Sequence, residues 1–90
     1  MKPNIRLSEY KAVLKGAVLE FTSNELEDNS ITLQRSQNIV QFLYENIDKP
    51  ATNEDLFVLI ETTKEQFPEL IEPIEDAIET FELHKKYLIS

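Results

Sequence analysis

The first third of the chain has the hydrophobic pattern of one face of an α-helix. Its apolar positions are three or four residues apart: Tyr10, Val13, Leu14, Ala17, Val18 and Phe21. Ser8 precedes this pattern and is the predicted N-cap. Gly16 lies inside it, and we interpret this glycine, which weakens a helix relative to alanine, as the mark of a close helix crossing. Residues 22–30 are polar and rich in Ser, Asn and acids, which predicts a loop after the helix.

A second helix is predicted to begin at Ser30 or Thr32 and to end at about Asp48. Its buried side is expected to contain Ile39, Val40, Leu43, Tyr44 and Ile47. Pro50 favours an end at this point, because the residue before a proline is pushed from helical toward extended geometry.

The clearest helix start is at Thr52. Residues 52–55, Thr-Asn-Glu-Asp, match a capping box directly before an apolar run. The run at residues 56–60, Leu-Phe-Val-Leu-Ile, is apolar on nearly every side of a helix, so a buried strand is the competing interpretation. We favour a helix, because the cap precedes the run and Phe67 continues its periodicity. Such a helix is expected to be central or to lie in an interface.

Two prolines, Pro68 and Pro73, divide the last third of the chain. Either can occupy the first turn of a helix, where its missing N–H costs nothing. We predict a short turn from Pro68 and a long helix from about Pro73; a single helix kinked at Pro73 is the alternative. The apolar stripe of this last helix is Leu70, Ile74, Ala77, Ile78, Phe81 and Leu88. Five acids are expected on the opposite side: Glu72, Glu75, Asp76, Glu79 and Glu82.

Together these segments predict an all-α fold, a compact antiparallel bundle of about four helices in a single domain spanning residues 1–90. The composition agrees with this, since 41% of the residues are hydrophobic, 29% are charged and only one is glycine. Cysteine is absent, which excludes disulfides and thiolate chemistry. No apolar run approaches the roughly 18 residues that a membrane span needs. With no signal peptide evident, we expect a cytoplasmic protein.

The net charge of −8 is distributed unevenly along the chain. Residues 1–16 carry a net charge of +3, residues 17–83 carry −13, and Lys85 and Lys86 add +2. Phosphate backbones are bound mainly by Lys and Arg, so an acidic body makes nucleic acid an improbable direct ligand.

The sequence has no recognisable catalytic or metal-binding motif, which favours a protein that is not an enzyme. His84 is the only histidine, and its helical neighbours include no usual metal ligand. The chain has no Gly-rich phosphate loop, calcium loop, Ser-His-Asp set or zinc-protease motif. We expect no catalytic residue, no metal and no cofactor. A carboxylate-only enzyme is the hypothesis that survives this search, and it requires a deep polar pocket.

The acidic face of the last helix is the main candidate for a binding surface. It belongs to a series of like charges four residues apart: Glu61/Glu65, Glu65/Glu69, Glu72/Asp76 and Glu75/Glu79. These pairs repel in a helix, and Glu61/Lys64 and Glu82/Lys86 offset only part of the repulsion. We therefore consider Glu72, Glu75, Asp76, Glu79 and Glu82 as protein-binding residues, with a merely solvated face and mimicry of DNA charge as alternatives.

The chain also has more apolar residues than a small bundle can bury, among them Val58, Leu59, Leu83 and Tyr87. Burial under the N-terminal segment and a homodimer or partner interface are the two interpretations of this excess.

In size, acidity and helical build, the chain resembles the small immunity and inhibitor proteins of bacteria and their phages; this resemblance identifies no site residue. We expect a non-enzymatic protein-interaction module, such as an inhibitor, immunity or antitoxin-like regulatory protein. It would bind another protein, a basic one, through the acidic and apolar surface of its C-terminal half. The alternative is a dimeric transcription or biofilm regulator that contacts DNA through Lys2, Arg6, Lys11 and Lys15.

Overall fold

The computed structural model describes residues 6–89, with side chains for residues 6–87, as four α-helices and one turn of 3₁₀ helix. The helices are α1 (Leu7–Glu27), α2 (Leu33–Asn46), α3 (Asn53–Gln66) and α4 (Ile71–Ile89), and the 3₁₀ turn (Pro68–Leu70) joins α3 to α4. The described residues contain no strand, which confirms the all-α prediction. No helix among them is both long and apolar enough to cross a membrane.

Contacts between the helices show two antiparallel pairs, α1 with α4 and α2 with α3. Lys85 near the end of α4 pairs with Glu9 near the start of α1. Arg35 near the start of α2 reaches the backbone oxygen of Gln66 at the end of α3. The centre of the bundle is formed by fully buried aliphatic side chains: Leu14, Val18, Ile39, Leu56, Leu70 and Ile74. The predicted antiparallel bundle is therefore confirmed.

The start of α1 differs from the prediction that Ser8 caps it. The N-cap residue is Arg6, and Ser8 is exposed inside the first turn. The carboxylate of Glu9 accepts a hydrogen bond from the backbone N–H of Arg6 at 3.3 Å. This bond satisfies one donor at the helix start, so the serine is not needed as a cap.

The end of α1 also differs from the prediction, because residues 22–27 are helical rather than part of a loop. The buried Thr22 hydroxyl donates to the backbone oxygens of Val18 and Leu19, both at 3.0 Å, so it binds its own helix instead of competing with it. The helix ends where Asn29 adopts a positive φ of 58°. There the N–H of Ser30 bonds to the oxygen of Glu25 at 2.8 Å, which is the closing bond of a Schellman motif.

Gly16 does not mark a close helix crossing, as the sequence had suggested. A methyl group at this position would meet no described atom of another segment within 4 Å. The glycine is exposed on the outer side of α1.

Helix α2 begins after Thr32, one of the two starts predicted from the sequence, and the predicted cap of α3 at Thr52 is confirmed. The Thr32 hydroxyl accepts from the N–H of Arg35 at 3.1 Å, and the Thr52 hydroxyl accepts from the N–H of Asp55 at 3.1 Å. One predicted core residue of α2 is wrong: Tyr44 is exposed, with the amine of Lys15 lying 5.2 Å from the centre of its ring. The tyrosine lies at the edge between α1 and α2, where its ring is covered by a charged side chain rather than by the core.

The two prolines act as predicted from sequence. Pro68 begins the 3₁₀ turn, and Pro73 is the third residue of α4, which begins two residues earlier than expected. The first turn of a helix has no internal partner for its N–H groups, so Pro73 breaks no hydrogen bond.

Candidate protein-binding groove

A groove lies between α3 and α4 and has a volume of about 490 Å³. The two helices are antiparallel, and side chains from both reach its surface. Those from α3 are Phe57, Ile60, Glu61 and Lys64, and those from α4 are Glu75, Ile78, Glu79, Glu82, Leu83 and Lys86. We call this set of residues the α3–α4 groove. It combines an apolar floor with a charged rim.

The floor of the groove is built from residues of the apolar run and of the α4 stripe. Ile60 is buried and Ile78 half-buried, whereas Phe57 and Leu83 are 41% and 47% exposed. The Phe57 ring packs edge-on against the ring of Tyr10 in α1, with the ring centres 5.3 Å apart. Its position is therefore supported from below by a buried aromatic residue.

The positive charge of Lys64 is held between carboxylates at one end of the groove. Its amine lies 3.4 Å from an oxygen of Glu61 and 3.8 Å from an oxygen of Glu75. Both acids are largely exposed, so water screens these pairs and each contributes little to stability. Glu61 and Lys64 form one of the two offsetting pairs expected from the sequence.

Glu82 does not form the other expected pair, with Lys86. Its carboxylate instead accepts a hydrogen bond from the Tyr10 hydroxyl at 3.2 Å. Burial raises the pKa of Tyr10, and the nearby charge of Glu82 and the hydrogen bond to it raise this pKa further. Tyr10 therefore stays protonated as the donor. Glu79 is exposed and has no ion-pair partner within residues 6–87.

The five acids predicted as a binding face border two depressions. Glu75, Glu79 and Glu82 line the α3–α4 groove. Glu72 and Asp76 are turned toward the end of α1, where they border a second depression. That depression is also lined by Phe21, Glu25, Pro68, Glu69, Ile71 and Pro73. The sequence predicts all five residues opposite the apolar stripe of α4, but it does not show which neighbouring helix each of them faces.

Glu69, in the second depression, is already neutralised. Both of its carboxylate oxygens accept from the Arg35 guanidinium, at 2.7 and 2.8 Å, and the guanidinium lies 4.8 Å from the centre of the Phe67 ring. The hydrogen bond to Arg35 lowers the pKa of Glu69, more than burial raises it. This bidentate pair joins α2 to the 3₁₀ turn and is a structural contact.

The remaining residues considered from sequence are scattered. His84 is exposed on α4, and residues 6–89 contain no group of three His, Cys, Asp or Glu side chains that could hold a metal. Among the basic residues proposed for DNA, Lys2 lies outside the described residues, Arg6 is exposed and Lys11 is half-buried, while Lys15 covers Tyr44.

The excess apolar residues are indeed not all buried. Val58 is 66% and Tyr87 76% exposed, and Leu59 is half-buried. Val58 points away from the α3–α4 groove and toward a depression between α2 and α3. Leu88 of the predicted stripe and the proposed cover by the first five residues lie outside the described side chains. The helix at residues 56–60 is therefore not central, since only Leu56 and Ile60 are buried.

Phe57 and Lys64 of the groove, and Tyr10 beneath it, are not among the site residues that the sequence predicts. The length of the apolar run signalled that one of its members must be exposed. Nothing in the sequence pointed to Tyr10, which is 72 residues from Glu82.

The chain matches no protein-family model, and neither the curated proteins nor the solved structures contain a significant match to it.

Proposed function

We propose that this protein is a non-enzymatic interaction module that binds a basic protein through the α3–α4 groove. The observation that carries the proposal is the coincidence in one groove of exposed apolar side chains, Phe57 and Leu83, with an acid, Glu79, that has no ion pair among the described residues. Apolar anchors beside a polar rim are typical of protein interfaces.

The charge of the protein supports a basic partner. A net charge of −8 attracts positively charged proteins over a distance. Glu79, which has no ion pair among the described residues, could then pair with a basic side chain of the partner in the groove. The same charge opposes phosphate backbones, which argues against the DNA-binding alternative. That alternative also loses part of its motivation because Lys15 is engaged with Tyr44.

An inhibitory, immunity or antitoxin-like role suits a small module that acts by occupying a partner. It is favoured by the resemblance in size, acidity and helical build described above. A cytoplasmic location and a homodimer stay predictions of the sequence.

The proposal is tested by using the protein as bait in extracts of its source cell, with quantitative mass spectrometry. The groove variant is Phe57→Ala combined with Glu79→Lys. The matched control is Val58→Ala combined with Glu27→Lys, an exposed apolar residue and an exposed acid outside the groove. We expect a protein that wild type and control capture equally, and that the groove variant captures about tenfold less.

The same set of captured proteins for all three baits would contradict the proposal. Circular dichroism of each bait checks that the helices are intact.

A further inference from the structure

Resting on the proposed function, we infer that the α3–α4 groove binds a single amphipathic α-helix of the partner, with Lys or Arg along the edges of its apolar side. Shape, floor chemistry and charge each point to this occupant.

The shape of the groove fits a helix. Its α4 residues extend from Glu75 to Lys86, which at 1.5 Å per residue is about 16 Å, or three helical turns. Two antiparallel helices leave a trough whose ridges and grooves are complementary to a third helix. A partner strand would need a sheet edge to pair with, and the described residues contain no strand.

The floor of the groove matches the apolar side of such a helix. Phe57 from α3 and Leu83 from α4 are its exposed members, and Ile60 and Ile78 lie deeper. A helix with apolar residues three, four and seven positions apart would cover both exposed side chains along one stripe.

The rim selects the charge of the partner. The rim carries four acids and two lysines, Lys64 and Lys86, so it is net negative. Lys64 is already engaged by Glu61 and Glu75. Glu79 and Glu82 then present negative charge beside the floor. A basic edge would be attracted to them, whereas an acidic helix would be repelled. A second copy of this chain, itself carrying a net charge of −8, is disfavoured for the same reason.

Tyr10 acts as a positioning residue for the groove, through two side chains of different helices. Its ring supports Phe57 from α3, and its hydroxyl holds the carboxylate of Glu82 from α4. An apolar anchor and an acid are thereby fixed relative to each other before a partner arrives. Pre-organisation of this kind increases affinity because fewer side chains have to be ordered on binding.

The probe is a synthetic, fluorescein-labelled peptide of about 14 residues, with Leu at helical spacing and Lys flanking the Leu stripe. One control peptide has the same composition in scrambled order, and another has Glu in place of Lys. Affinity is measured by fluorescence anisotropy, and the contact site by backbone amide chemical shifts of the isotopically labelled protein.

We expect the helical basic peptide to bind and to shift amides of α3 and α4 that line the groove. Glu79→Lys should weaken binding about tenfold, whereas the matched reversal Glu27→Lys, on the far end of α1, should change it less than about twofold. Both control peptides should bind at least about tenfold more weakly.

Tyr10→Phe tests the positioning role, because it keeps the ring and removes only the hydroxyl. It should weaken peptide binding about threefold without changing the circular dichroism spectrum. In a Glu82→Ala background, which removes the acceptor, the same substitution should have a smaller effect, since the two residues act through one hydrogen bond. A purely structural role for Tyr10 would give the same effect in both backgrounds and would overturn the positioning role.

Equal binding of the scrambled peptide, amide shifts elsewhere on the bundle, or no response to Glu79→Lys would overturn the inference. If the peptide fails while the natural partner is still lost with the groove variant, a helical occupant is wrong and the proposed function stands. A dimer by light scattering that Leu83→Ala converts to a monomer would identify a second copy as the occupant instead.

Discussion

The two sides of α4 differ in how closely their charged side chains are paired and how far their apolar side chains are buried. Toward α1, Lys85 pairs with Glu9 at 2.5 Å, and Phe81 and Glu82 both contact the buried Tyr10. We call these five residues the α1–α4 seam. Toward α3, the shortest ion pair to α4 is 3.8 Å, Glu79 has no ion pair among the described residues, and two large apolar side chains are exposed.

This difference separates stability from binding along a single helix. Close charge pairs and covered rings stabilise the seam, because their polar groups are satisfied and their apolar surface is removed from water. The α3–α4 groove leaves comparable groups exposed to water, and covering them would be favourable only when a partner supplies matching contacts. Apart from Tyr10 and Glu82, which belong to the seam and also support or line the groove, we therefore expect substitutions on the α1 side to change the free energy of unfolding, and substitutions in the groove to change affinity.

The largest effect is expected for Leu14→Ala, in the buried face of α1. Leu14 is fully buried, so truncation leaves a cavity and should lower the free energy of unfolding by about 3 kcal/mol. The matched truncation Leu83→Ala, at the exposed edge of the groove, should lower it by less than about 1 kcal/mol. Urea denaturation followed by circular dichroism measures both. Equal losses of free energy of unfolding for the two variants would contradict the separation of stability from binding.

A smaller and opposite effect is expected for Gly16→Ala on the outer side of α1. The new methyl group meets no described atom of another segment, and alanine loses less backbone entropy than glycine in a helix. The free energy of unfolding should rise by about 1 kcal/mol. Affinity for the amphipathic peptide should not change, because Gly16 is exposed on the outer side of α1 and does not line the groove. A weakened affinity would show that stability and binding are coupled.

The smallest effect is expected for the ion pair of the seam as the pH falls. The hydrogen bond to Lys85 lowers the pKa of Glu9 below its ordinary value of 4.5. The contribution of Glu9 is therefore present above pH 4.5 and is lost as the pH falls through its lower, folded-state pKa. Between pH 6 and pH 3 the urea midpoint should decrease.

Glu9→Gln should make this decrease in the urea midpoint smaller, because Gln cannot form the ion pair that protonation of Glu9 breaks. Gln can still accept from the N–H of Arg6, so the start of α1 is kept. Glu69, whose pKa is lowered by Arg35, accounts for part of the remaining slope. An unchanged slope for Glu9→Gln would show that the seam pair does not contribute.

Local chemistry made the starts of α2 and α3 predictable. The hydroxyls of Thr32 and Thr52 each accept from an N–H three residues later. The residues that form each cap are therefore close together in sequence. The same holds for the prolines before and within α4. The end of α1 was not predictable in this way, because Thr22 can bind either a turn or its own helix, and its burial in the bundle selected the helix.

The candidate site was predictable in composition but not in arrangement. Glu75, Glu79 and Glu82 belong to the acidic set inferred from sequence, and all three line the groove. Glu72 and Asp76 belong to the same set and lie elsewhere. Helical periodicity assigns residues to a face of one helix, but it does not say which neighbouring helix that face meets.

By itself, the sequence determined the helical class, the threonine caps, the break at Pro68 and the acidity of the C-terminal half. These depend on hydrogen bonds and spacings within three or four residues. Only the tertiary structure decided that Tyr10 supports both Phe57 and Glu82, and that Glu9 meets Lys85. Those contacts join residues far apart in sequence and form because α3 and α4 both pack against α1, α4 in the antiparallel direction.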